Sequence, residues 1–122
     1  MRHKLLVVDD DDAVIDYLRA KLGAHYDIVS TNAPEKALGL ARKDRPSLVL
    51  CDVDMPGMDG GDVSKEFYGD AEARDIPVLF LSALVTPEDM KSLGHEIGGR
   101  PAISKRAPAK ELMKRIESLI PA

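Results

Sequence analysis

The chain has 122 residues, 44% hydrophobic and 31% charged, a balance that fits one soluble globular domain and excludes a disordered chain. A net charge of −4 removes any bulk electrostatic case for nucleic acid or an anionic membrane, and the first apolar run, four residues at 5–8, is too short for a signal peptide or a membrane span. Cys51 stands alone and forms no internal disulfide, which suits a reducing, cytoplasmic setting.

The predicted elements alternate from the start. "KLLVV" (4–8) is a short apolar run ending in acids and reads as a strand buried on both faces. "DDDAVIDYLRAKL" spaces Val14, Ile15, Leu18 and Leu22 as a helix does, with Asp11 and Asp12 in front as a solvated cap. "YDIVS" (26–30) is a second strand. "NAPEKALGLARK" is a second helix, with Asn32 as cap, Glu35 three residues on and Pro34 in the first turn. "SLVLC" (47–51) is the third strand, and it breaks at Asp52 into "DVDMPGMDGG". The helix that follows is short, bracketed by Gly61 and Gly69.

"PVLFLS" (77–82) is the fourth strand, and "TPEDMKSLGHEI" opens a helix with Thr86 as cap and Pro87 at its first position. "RPAIS" (100–104) is a weaker fifth strand, with Gly98 and Gly99 suggesting a mobile lead-in. "PAKELMKRIESLI" puts Leu112, Ile116, Leu119 and Ile120 on one face. Its cations interleave with Glu111 and Glu117, which makes a solvated face and not a nucleic-acid one. His3, His25 and His95 have no partners at ligand spacing.

Five alternations of strand and helix argue for a parallel sheet with helices on both faces. Right-handed crossovers then bring every strand's C-terminal end to one edge, where such sheets bind ligands. The strand ends deliver Asp9 and Asp10, then Asp52, then Ser82, then Lys105. Three carboxylates in one crevice repel unless a cation sits among them, and Mg²⁺, a hard ion that keeps room for phosphoryl oxygens, suits them. A carboxylate nucleophile with Mg²⁺ and a lysine is equipment for phosphoryl transfer to aspartate.

The acid pair of "LLVVDDD", the Asp-x-x-Met-Pro-x-Met-Asp-Gly of "LVLCDVDMPGMDG", the Ser-Ala of "LFLSA" and the Lys of "AISK" together resemble the receiver domain of two-component response regulators over essentially the whole chain, 1–122. The resemblance implies a flavodoxin-like, doubly wound five-stranded sheet of order 2-1-3-4-5. It implies that Asp52 accepts a phosphoryl group from a sensor histidine kinase or phosphotransfer protein. It further implies that Asp10 binds Mg²⁺ directly, that Asp9 helps through water, and that Asp54 offers its backbone carbonyl. Ser82 and Lys105 are then the contacts to the phosphoryl oxygens. Any homodimer is expected through the last helix, and the downstream target is open, since no effector domain is recognised in the 122 residues.

The chain departs from the family at its output end. Receivers commonly carry Tyr or Phe three residues before the lysine; here Ala102 stands there, after Pro101. The family favours Pro after the lysine, often with a cis bond; here it is Arg106, for which a cis bond costs about 2.5–4 kcal/mol, so a trans bond is expected. Output is therefore expected through movement of the segment 82–97. Two other readings stand beside this one. A pseudo-receiver would bind partners without phosphotransfer. A haloacid-dehalogenase-type phosphatase shares the Asp52-x-Asp54 pair but prefers Thr or Val where Pro56 stands. An EF-hand is excluded by Pro56 and Val63 at its fifth and twelfth positions.

Overall fold

The structure, a computed structural model, describes residues 2–120. Among them, β1 (Lys4–Val8), β2 (Asp27–Thr31), β3 (Leu48–Asp52), β4 (Val78–Ser82), β5 (Glu96–Ile97) and β6 (Arg100–Ser104) form one sheet, in the order β2-β1-β3-β4-β6-β5. The helices are α1 (Asp12–Leu22), α2 (Ala37–Asp44), α3 (Gly60–Tyr68), α4 (Pro87–Ser92) and α5 (Ala109–Leu119). This is the flavodoxin-like architecture, with β6 in the place of the predicted fifth strand and the pairs β1–β2, β1–β3, β3–β4 and β4–β6 all parallel.

The expectation of five strands needs one correction. β5 is an extra edge strand, antiparallel to β6, with Ile97 opposite Arg100. Gly98 and Gly99 have φ of 59° and 80°, and a two-residue hairpin turn of the primed type needs positive φ at both places. The glycines predicted as a mobile lead-in therefore close a tight turn instead.

Alternation along the strands splits the core in two. Leu5, Val7, Leu48, Leu50, Leu79, Leu81 and Ile103 face α1 and α5, while Leu6, Val8, Val49, Cys51, Val78, Phe80 and Ala102 face α2, α3 and α4. Both faces are apolar because both are covered, which is why these strands read as unbroken apolar runs. Burying side chains of this size contributes about 1.5–3 kcal/mol each.

Helix starts hold the loops at the sheet edge. Asp11 accepts the Ala13 N–H at 3.0 Å, and Thr86 and Asp89 exchange bonds of 3.1 and 3.2 Å in a capping box. Asp59 and Asp62 form a second box at 2.9 and 3.1 Å, so α3 has a firm start that the glycines around it concealed. Asn32 does not cap α2. Its amide donates to Asp12 Oδ1 at 3.0 Å, and a single 3₁₀ turn, Pro34–Lys36, leads into the helix.

Candidate functional site

Each candidate residue sits where a strand runs out. Asp9 follows β1, and its N–H donates to the Thr31 carbonyl of the neighbouring strand at 3.2 Å. Its Oδ1 accepts the Asp11 N–H at 2.9 Å, so the carboxylate is turned inward, and the residue is fully buried. Asp10, next in line, is exposed. Asp52 ends β3 and is 4% exposed, with Oδ1 accepting the Asp54 N–H at 3.2 Å. Oxygens of Asp9, Asp10 and Asp52 lie within 4.8 Å of one another.

Two neighbours set the position of Asp52. Val53 N–H donates to Leu81 O at 3.1 Å, extending the ladder past the acid. Gly60 then brings the first turn of α3 against the strand end, its N–H donating to Val53 O at 3.0 Å. A Cβ at Gly60 would lie 2.6 Å from the Asp52 carbonyl oxygen, so only glycine permits this approach.

Ser82 and Lys105 come from β4 and from the turn after β6. Ser82 is buried, its Oγ accepting the Leu84 N–H at 3.2 Å. Its carbonyl accepts the Lys105 N–H at 2.8 Å, which locks the two strand ends together. The Lys105 ammonium is 2.8 Å from Asp9 Oδ2 and 3.3 Å from Asp52 Oδ1. Asp54 lies outside the acid cluster with an exposed side chain. Among the described residues no peptide bond is cis, so Lys105–Arg106 is trans as expected.

Electrostatics follow from burial. Desolvation, reinforced by the Asp9 charge, pushes the Asp52 carboxyl up to about 6, although Lys105 and the Asp54 N–H oppose it. Burial draws the Lys105 ammonium down, but Asp9 and Asp52 together outweigh it and hold the group above its ordinary value. Cys51, beside Asp52 and on the other sheet face, has its thiol pushed to about 12 by burial and by the nearby acids.

The donor set itself tests for a metal. One ammonium answers three carboxylates, which leaves two negative charges uncompensated at the sheet edge. Asp9 Oδ2 is buried with no aligned hydrogen-bond donor, its charge partner being Lys105. All-oxygen ligands with a double charge deficit fit a hard divalent cation such as Mg²⁺. Beside Lys105, between α1 and α5, opens a recess of about 290 Å³ lined by Val14, Tyr17, Leu18, Ala107 and Leu112.

The sequence reading missed Ser104. It lies buried at the end of β6, and its hydroxyl donates to the Val85 carbonyl at 2.7 Å. A serine inside a strand end carries no motif of its own, so no sequence signal singled it out.

Comparison with known proteins agrees with this geometry. The family model for the response regulator receiver domain matches residues 5–117. The response regulator PleD of Caulobacter vibrioides is 40% identical over 121 residues, covering 98% of this chain and 26% of PleD. The alkaline phosphatase synthesis transcriptional regulatory protein PhoP of Bacillus subtilis is 31% identical, covering 98% of this chain and 49% of that protein. The chain thus spans between a quarter and a half of the length of these relatives. Among solved structures, the chemotaxis protein CheY4 of Vibrio cholerae superposes with a TM-score of 0.81 at 26% identity, covering 98% of this chain and all of that one.

Proposed function

The chain belongs to the response regulator receiver domain family, and we propose that it works, as one receiver domain over residues 1–122, as a phosphoacceptor switch in a histidine-to-aspartate relay. The observation that carries this reading is the meeting of Asp9, Asp10 and Asp52 with Lys105 at one sheet edge.

In this reading an Asp52 carboxylate oxygen attacks the phosphorus of a phosphohistidine on a sensor kinase or phosphotransfer protein. The P–N bond breaks as the P–O bond forms, and the imidazole leaves and takes a proton. Asp9 and Asp10, with Asp52 and the Asp54 carbonyl, would hold Mg²⁺. That ion, when bound, supplies charge neutralisation between the acids and the incoming phosphoryl oxygens. Asp52 must be ionised to attack, and a group titrating near 6 is ionised at neutral pH. Ser82 and Lys105 are the groups placed to hold the phosphoryl oxygens, the lysine as a point charge. Output is assigned to the segment 82–97, because Ala102 is a buried methyl where the family has a ring. The location is taken as cytoplasmic; among the described residues no helix is long and apolar enough to cross a membrane.

The test is intact mass after incubation with Mg²⁺ and acetyl phosphate, with Asp52→Asn in parallel. One phosphoryl adduct in the parent alone, abolished by chelator, supports the reading. Failure to bind Mg²⁺ and to form an adduct would favour the pseudo-receiver instead.

A further inference from the structure

Ser104 precedes Lys105, and its hydroxyl is used twice. Oγ–H donates to the Val85 carbonyl at 2.7 Å, and the oxygen accepts the Arg106 N–H at 3.1 Å. The first bond crosses from the end of β6 to the β4–α4 loop. The second closes the turn around Lys105 itself. Ser104 is 3% exposed, so neither bond is readily replaced by water.

The second bond depends on a feature that the sequence showed only as a departure. A proline at position 106 would have no N–H to give. Arg106 has one, and a partly buried backbone donor needs a partner. Ser104 is that partner, which accounts for a trans, hydrogen-bonded turn at this place.

Both loops that this hydroxyl joins border the acceptor. Ser82 lies three residues before Val85, and Lys105 one residue after Ser104. Their backbones are joined by the 2.8 Å bond from Lys105 N–H to Ser82 O. We propose that Ser104 is a positioning residue for the acceptor site, its hydroxyl fixing the turn that presents Lys105 to Asp52 and tying that turn to Val85. The proposal rests on the reading of Asp52 as acceptor. It also supplies a mechanical link, on the face where Ala102 leaves no ring, between the phosphoryl contacts and the segment that leads to α4.

The experiment compares the parent with Ser104→Ala, Ser104→Cys and Ser104→Thr. Phosphorylation rates are measured at varied acetyl phosphate with saturating Mg²⁺, and amide exchange is measured on the unphosphorylated proteins. Ser104→Ala is expected to lower the rate constant at saturating donor about tenfold, with little change in the donor KM. It is also expected to speed exchange of the Arg106 amide at least tenfold. Ser104→Thr, which keeps the hydroxyl, is expected to return both to within about twofold of the parent. Ser104→Cys, a weak donor of similar size, is expected to fall between, and it decides the matter if the alanine variant does not fold.

A parent that forms the Asp52 adduct and an alanine variant that matches its rate would overturn the positioning role. A parent that forms no adduct would overturn the acceptor reading instead. In that case unchanged Arg106 exchange and unchanged Lys105 side-chain shifts in Ser104→Ala would overturn the tie as well.

Discussion

Lys105 lies nearer to Asp9 than to Asp52, its ammonium 2.8 Å from Asp9 Oδ2 and 3.3 Å from Asp52 Oδ1. The lysine is thus the counter-ion of the more deeply buried acid. A cation bound by Asp9 must compete with it for the same carboxylate. Lys105→Met is therefore expected to bind Mg²⁺ about threefold to tenfold more tightly, a gain of roughly 1 kcal/mol. The same variant is expected to accept phosphate at least about tenfold more slowly if Lys105 holds the phosphoryl oxygens as proposed. Calorimetric titration with Mg²⁺ checks the first half and intact-mass kinetics the second. Weaker Mg²⁺ binding by the variant would mean that the lysine organises the acids and does not compete for them.

The raised Asp52 group makes stability depend on pH with a definite sign. Its folded-state value near 6 exceeds the ordinary 3.8, so the folded protein holds this proton more tightly than the unfolded chain. Stability from this group is full below about 3.8 and is lost as pH rises through about 6. With metal chelated, Asp52→Asn is expected to gain about 1–3 kcal/mol over the parent at pH 7.5, or about 4–12 °C in Tm. At pH 4 the difference should nearly vanish. Thermal melts at the two pH values decide it, and an equal gain at both would show that ionisation of Asp52 is not the cause.

Two glycines in helices should respond in opposite ways. A Cβ at Gly60 meets the Asp52 carbonyl oxygen at 2.6 Å and Val53 Cα at 3.0 Å, both backbone atoms. Gly60→Ala is expected to cost about 1–3 kcal/mol and, on the proposed function, to slow phosphorylation by displacing Asp52. Gly39, exposed within α2, has nothing within 4 Å of such a Cβ. Gly39→Ala is expected to stabilise by about 0.5–1 kcal/mol and to leave the acceptor rate unchanged. Urea unfolding alongside mass kinetics separates the two.

The β5–β6 hairpin meets α3 through a stacking contact as well as through the apolar cluster that Ile97 and Ala102 share with Val63 and Phe67. The Arg100 guanidinium lies 3.6 Å from the centre of the Tyr68 ring, and the ring is itself half exposed. Tyr68→Ala is expected to cost about 0.5–1 kcal/mol and to raise amide exchange across residues 94–101. Tyr68→Phe should keep most of the protection. Loss of protection in both would assign the effect to the tyrosine hydroxyl.

Much of this was legible in the sequence, for identifiable reasons. β1, β3 and β4 are covered on both faces, so they appear as unbroken apolar runs; β3 and β4 end on the candidates Asp52 and Ser82, and Asp9 and Asp10 follow β1 directly. Topology alone then gathered Asp9, Asp10, Asp52, Ser82 and Lys105. What escaped was decided by tertiary contact. Asn32 has the right chemistry for a cap, yet Asp12 on the neighbouring helix takes its amide. Gly98 and Gly99 carry a hairpin signal, but its first strand is only Glu96–Ile97, too short to show a period. Ser104 matters through a carbonyl 19 residues away, which no local pattern reveals.

Cys51 gives the centre of the sheet a chemical sensor that needs no engineering. Its thiol is fully buried and has a pKa near 12, so almost no thiolate exists in the folded state at neutral pH. Alkylating reagents can reach it only when β3 parts from α2 and α3. As the chain's one cysteine, it would report a single labelling rate, free of competing sites. That rate measures how often the strand carrying Asp52 opens. Its change on adding Mg²⁺ or acetyl phosphate would show how far occupancy at the sheet edge tightens the interior beneath it.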